Sequence, residues 1–251
     1  MLMITIKNEQ EIINITQSCK ILAEVKQIVY DFVRPGVSLK EVDSVAFNEI
    51  VKRGAQPAFK GLYGFPATCC ISINEELIHG IPSDYIIQDG DIVKVDMGCT
   101  YKGMNSDSAF TKGVGNINES DKKIIIVAQE SFYAGFNAIK PGARVGDVSH
   151  AIGQVIRQNN LYTPSQYCGH GIGREVHEDP YVFNDGHAGS GPLLKDGMVI
   201  CIEPMILQQN ARIKVKKDKW TVVSASGLNA AHYEHTVLIK DGKGIILTKG
   251  I

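Results

Sequence analysis

The sequence predicts an α+β fold: a curved, mostly antiparallel β-sheet with helices on one face and an internal pseudo-two-fold repeat. Three observations predict it. Two amphipathic helical segments precede a β-rich stretch, a Pro-Gly pair separates the two helices, and the same order recurs in the second half of the chain. With 251 residues, 44% of them hydrophobic, 21% charged and only 9 Pro, the chain can bury a sizeable core as one domain over 1–251. The repeats span about 8–111 and about 118–248.

Taken in order, Asn8 is placed to cap a helix through Val33, because Ile12, Ile15, Cys19, Leu22, Val25, Val29 and Phe32 recur every three or four residues. Pro35-Gly36 stops it. Ser38 and Glu41 form a capping-box pattern before a second helix carrying Leu39, Val42, Val45, Ala46 and Ile50, closed by Gly54. Strands are expected from Thr68 to Thr111. A third helix runs from Ser120 to Ile139, Pro141-Gly142 stops it, and a fourth runs from Val145 to Gln158, followed again by strands.

The repeat reaches the polar residues. His79-Gly80-Ile81 recurs as His170-Gly171-Ile172, and Gly90 through Asp96 recurs as Gly197 through Glu203, so Asp96 corresponds to Glu203. Each copy carries a later acid, Asp107 in the first and Glu234 in the second. A turn near Tyr101-Lys102-Gly103 would place Asp96 and Asp107 opposite or nearly opposite each other on paired strands. Alone, such acids read as solvated residues near a turn. A two-fold arrangement brings both pairs to one axis, and four carboxylates in a low-dielectric cleft demand counter-charge.

Divalent metal supplies that charge economically. With His170 the set offers four carboxylates and one imidazole, which suits Mn, Fe(II), Co or Mg better than a structural zinc. Bridging carboxylates hold paired ions about 3.5–4 Å apart, and such ions acidify water from about 15.7 towards 7.

Other function classes are excluded by composition. The formal net charge is −1, and the basic run Lys214–Lys219 reads as a solvated hairpin, so neither nucleic acid nor an anionic membrane is implied. The N-terminal run Met1-Leu2-Met3-Ile4-Thr5-Ile6-Lys7 is too short and too soon charged for a signal segment, which predicts a cytoplasmic protein. The six cysteines form no CxxC pair and read as small buried hydrophobes.

At this point the motifs resemble the type I methionine aminopeptidases, short bacterial members of the pita-bread metallopeptidases. The resemblance spans nearly the whole chain. It rests most specifically on Asn74 through Pro82, Gly169 through Glu178, Ile202-Glu203-Pro204 and Tyr233-Glu234-His235-Thr236. It implies the pita-bread fold and two divalent ions, with Asp96 holding one, His170 and Glu203 the other, and Asp107 and Glu234 bridging them. By the same resemblance His79 would contact the scissile amide, His177 the developing oxyanion, and Glu203 would also relay a proton. Phe59, Leu62, Phe65, Cys70, Val176 and Trp220 would form the methionine pocket.

The implied substrate is a peptide or nascent-chain N-terminus, met transiently at the ribosome by a monomeric enzyme. Several positions depart from the family pattern: Ile78 before His79, Leu62 and Val176 where larger aromatics are frequent, His232 in place of a glutamine, and Asn105-Ser106 before Asp107. Leu62 and Val176 predict a roomier first-residue pocket. The competing readings are an Xaa-Pro peptidase, which usually has an additional N-terminal domain, and a non-catalytic pita-bread binding module, which typically loses metal ligands.

Overall fold

The computed structural model describes residues 4–250. Met1, Leu2 and Met3, on which part of the signal-segment argument rests, lie outside the described residues. Helix α1 spans Glu9–Phe32, and its Asn8 cap and Glu11 complete a capping box that satisfies backbone amides at both positions. Helix α2 spans Leu39–Lys52 with the same device at Ser38 and Glu41. Helix α3 spans Glu119–Asn137 and α4 Val145–Gln158. The start of α3 is one residue earlier than the sequence suggested, because Asn118 caps the helix by accepting the Asp121 amide at 2.9 Å.

Among the described residues every strand pair is antiparallel. In the first half, Ile92–Tyr101 pairs with Cys69–Ile73 and the short Gln56–Pro57 on one side and with Met104–Gly113 on the other. In the second half the order is Lys243–Ile246, His235–Lys240, Val199–Ile202, Gly169–Gly171 and Glu178–Val182. The basic run lies in the hairpin joining Ile213–Val215 to Val222–Ser224, as expected from its composition.

Each half has its own apolar core. Leu22, Val29, Val42 and Ile50 pack on Val93, Val95 and Met97 in one. Phe132, Val148, Ile152 and Ile156 pack on Ile200, Ile202 and Val237 in the other. At roughly 1.5–3 kcal/mol for each large aliphatic side chain removed from water, these layers fix the helices to one face of the sheets.

The halves join along Met104–Gly113. Ala109 and Glu234 exchange backbone hydrogen bonds of 3.3 and 3.0 Å. On either side, Asp107 bonds to the Thr236 hydroxyl and Thr111 to the backbone of His232. The segments that carry Asp107 and Glu234 are thereby stitched side by side.

Candidate metal centre

The strand register brings the two hairpin acids together less directly than the turn suggested. Asp96 pairs with Ala109 and Asp107 with Gly98. The acids are therefore diagonal neighbours on the same face, since side chains two residues apart along a strand point the same way. Glu203 follows the end of Val199–Ile202, and Glu234 lies between Ala230–His232 and His235–Lys240.

His170 comes from Gly169–Gly171. The flanking glycines are required by strand packing: a Cβ at Gly169 would lie 2.3 Å from the Cys201 carbonyl, and one at Gly171 would lie 2.2 Å from that of Asp179. His170 Nδ1 lies 2.9 Å from the Gly171 carbonyl, so it carries the proton and donates it there. That leaves the Nε2 lone pair facing Glu203 Oε1 at 3.6 Å and Asp107 Oδ2 at 3.8 Å. Burial holds the imidazole pKa down to about 3, with His177 adding to the shift, so the ring is neutral and available as a ligand.

The carboxylates carry the opposite strain. Burial, reinforced by mutual repulsion, pushes Asp107, Glu203 and Glu234 well above the carboxylate range, and burial also raises Asp96. Asp96 Oδ1, Asp107 Oδ1 and Glu234 Oε1 are buried with no hydrogen-bonding partner among the described residues. Buried oxygens without donors, in a cluster of like charge, are what hard divalent cations satisfy, so the donor set fits a metal centre. Two tight groupings occur: donor atoms of Asp107, His170, Cys201 and Glu234 lie within 4.8 Å of one another, as do those of Glu203, His232 and Glu234. Asp96 lies outside both, although it lines the same cavity.

That cavity has a volume of about 430 Å³, with the acids on its floor and Phe59, Leu62, Phe65, Cys70 and Trp220 along a wall. Phe65 meets Trp220 edge-on at 5.2 Å. Val176 packs in the same apolar cluster but is not among the lining residues, so it supports the wall from behind. Half-buried His79 also lines the cavity and stands edge-on to Tyr167; burial, with His232 and His177 nearby, lowers its pKa to about 4. At the rim His177 packs 4.5 Å from the His170 ring and stacks on the exposed Tyr63.

Two residues packed against the acids of the floor escaped the sequence reading. His232 was noticed only as a departure and Cys201 only as core. A period-two argument finds both, since each stands two positions before an acid of the set, Glu234 and Glu203 respectively.

Comparisons with known proteins agree with this fold. The chain is 47% identical to a methionine aminopeptidase of Clostridium perfringens (strain 13 / Type A), over 98% of this chain and 99% of that one. It is 41% identical to methionine aminopeptidase 1 of Bacillus subtilis (strain 168), over 98% and 100%. Among solved structures, the methionine aminopeptidase of Thermotoga maritima superposes with a TM-score of 0.96 at 39% identity, covering 98% of this chain and all of that one. The prolidase of Pyrococcus furiosus superposes with 0.80 at 28% identity, covering 98% of this chain and 66% of the prolidase. The pattern of metallopeptidase family M24 matches residues 14–241, a span holding both core layers and every acid of the cavity floor, and the chain belongs to that family.

Proposed function

We propose that the chain is a metal-dependent aminopeptidase that removes an N-terminal methionine from peptides and nascent proteins. The observation that carries this reading is the meeting, in one cavity, of unpartnered buried carboxylates with a wall of Phe59, Phe65 and Trp220. An unbranched thioether suits such a wall through area burial and sulfur–aromatic contact. No helix among the described residues is long and apolar enough to cross a membrane. The reading extends to a monomer working in the cytoplasm and meeting nascent chains transiently at the ribosome.

Asp96 would hold one divalent ion, His170 and Glu203 a second, and Asp107 and Glu234 would be shared. Co, Mn or Fe(II) suits this oxygen-rich set. Bound there, the metal supplies Lewis acidity and makes water nucleophilic at neutral pH.

The protein's own groups do the rest. The apolar wall grips the first side chain and excludes bulk water, while His79 hydrogen-bonds the scissile amide. His177, at the rim, donates to the carbonyl oxygen as negative charge develops on it. Glu203, whose environment favours its protonated form, carries a proton to the departing amine.

The test is anaerobic turnover across a Mn, Co and Fe(II) series, comparing methionine release from Met-Ala-Ser with cleavage of Ala-Pro-Ala. Preference for the second substrate replaces this reading with an Xaa-Pro peptidase. Metal binding without turnover of either substrate replaces it with a binding module.

A further inference from the structure

Cys201 sits in the strand Val199–Ile202, opposite Thr236 and two residues before Glu203. It is fully buried and belongs to the apolar layer under α1 that also contains Cys19 and Leu238. Its sulfur nonetheless lies against the acids of the cavity floor from behind, since Cys201 itself does not line the cavity. Sγ, a carboxylate oxygen each of Asp107 and Glu234, and a ring nitrogen of His170 all lie within 4.8 Å of one another. The sulfur lies 3.7 Å from Thr236 Oγ1, and that hydroxyl is already donated to the Asp107 carbonyl at 2.7 Å.

A buried thiol alone is no site, but its companions point to a ligand independently. Asp107 and Glu234 are 3% and 2% exposed, and each keeps one oxygen without a hydrogen-bonding partner among the described residues. His170 is 5% exposed, with its donor nitrogen spent on Gly171, so the other can only accept. One sulfur, one nitrogen and two oxygens converge, the donor number a four-coordinate ion takes.

We propose that Asp107, His170, Cys201 and Glu234 form a site for a single thiophilic divalent ion, zinc or cadmium, with Cys201 as its sulfur ligand. This rests on the acid cluster being a metal centre and adds a second, alternative mode of occupancy to it. As the bond to sulfur forms, the thiol proton passes to bulk water. Thiolate favours soft ions over Mn or Mg, which take carboxylate and water by preference. An ion held in this quartet diverts Asp107 and Glu234 from service with Asp96 and Glu203. Zinc occupancy therefore lowers hydrolysis while manganese supports it.

X-ray absorption on the full-length chain, stripped with chelator and given one equivalent of zinc, tests the ligation without reference to activity. A sulfur shell at about 2.3 Å beside nitrogen and oxygen at about 2.0–2.2 Å is expected. Cys201→Ala loses that shell and weakens zinc binding by about 10- to 100-fold, while manganese binding is unchanged. A shell of nitrogen and oxygen only in the unaltered chain overturns the proposal and leaves the metal centre standing. Persistence of the sulfur shell in Cys201→Ala, or its loss in Cys19→Ala alone, overturns the assignment to Cys201. Absence of any bound zinc, manganese or cobalt overturns the metal centre with it.

Discussion

His232 Nε2 lies 3.3 Å from Glu203 Oε2, in a position where neither ring nitrogen of His232 has a hydrogen-bonding partner among the described residues. Burial lowers the pKa of this histidine, so it meets Glu203 as a neutral ring. The contact limits where the glutamate can point. We predict that His232→Ala lowers kcat about 10- to 100-fold with little change in KM, and that His232→Gln recovers most of the loss. Steady-state kinetics on a methionyl tripeptide decide it; an alanine variant with unchanged kcat refutes the positioning role.

The acids themselves are predicted to be indispensable. Asp96→Ala and Glu203→Ala abolish hydrolysis, and Asp107→Ala also loses it if that carboxylate is shared between ions. Circular dichroism should show each variant folded. Near-normal turnover by Asp107→Ala contradicts the sharing. His177→Ala is expected to reduce kcat by about 10²–10³ and to raise KM less, as befits a donor used mainly in the transition state.

Much of this site was legible because its acids obey two simple regularities. The repeat related Asp96 to Glu203 and each of them to a later acid, Asp107 and Glu234. The strand pairing was less legible: Asp96 lies opposite Ala109, an offset that a turn centred one residue away suffices to produce. The start of α3 was placed one residue late, at Ser120 instead of Glu119, because Asn118 and Ser120 can both open a helix and only the fold selects between them. Cys201 and His232 were hidden for a different reason. Cysteine reads as core and histidine as an ordinary polar residue until a neighbour two positions away is known to face the cavity.

Metal and protons compete for the same oxygens. In the metal-free fold Asp107, Glu203 and Glu234 retain protons that an unfolded chain has released above about pH 4.5. Their contribution to metal-free stability is therefore lost as pH rises through their raised pKa values. His170 and His79, held to about 3 and about 4, act in the other direction, and their contribution is lost as pH falls below about 6.5. We expect the rise in Tm given by saturating manganese to widen between about pH 5.5 and about pH 8. A constant rise, measured by calorimetry, contradicts the competition.

The apolar wall makes a separable prediction. Trp220 meets Phe65 edge-on and is only half-buried, so Trp220→Ala opens the pocket without cutting deeply into either core. Its KM for methionyl peptides should rise roughly tenfold, the range expected of an aromatic contact of about 1 kcal/mol or slightly more. The modest bulk of Leu62 on the cavity wall predicts that norleucine and leucine substrates are accepted as well. A methionine preference as wide as that of enzymes with larger aromatics there refutes the roomier pocket.

Lys26 gives a stability test outside the cavity. Its ammonium is buried under the sheet, donating to Ser108 Oγ at 2.9 Å, and burial lowers its pKa to about 7 although Glu234 partly offsets the shift. An unfolded lysine titrates near about 10.4, so the folded chain binds fewer protons between those values and gains stability as pH rises through that window. Lys26→Met should remove this gain, leaving a flatter Tm profile from about pH 7 to about pH 10. Parallel profiles for the two proteins refute it.

The stitching of Met104–Gly113 to the segment around Glu234 also sets the order in which competence can arise. Ser108 reaches the Glu234 carbonyl across 126 residues of sequence, and Asp107 reaches Thr236 across 129. Closing loops of that length is entropically costly and slow beside the local pairing of Ile92–Tyr101 with Met104–Gly113. A chain still emerging from synthesis can thus build its first helix pair and hairpin while owning only Asp96 and Asp107. The hydrolytic apparatus is withheld until the final strands arrive, so an unfinished molecule is harmless by construction.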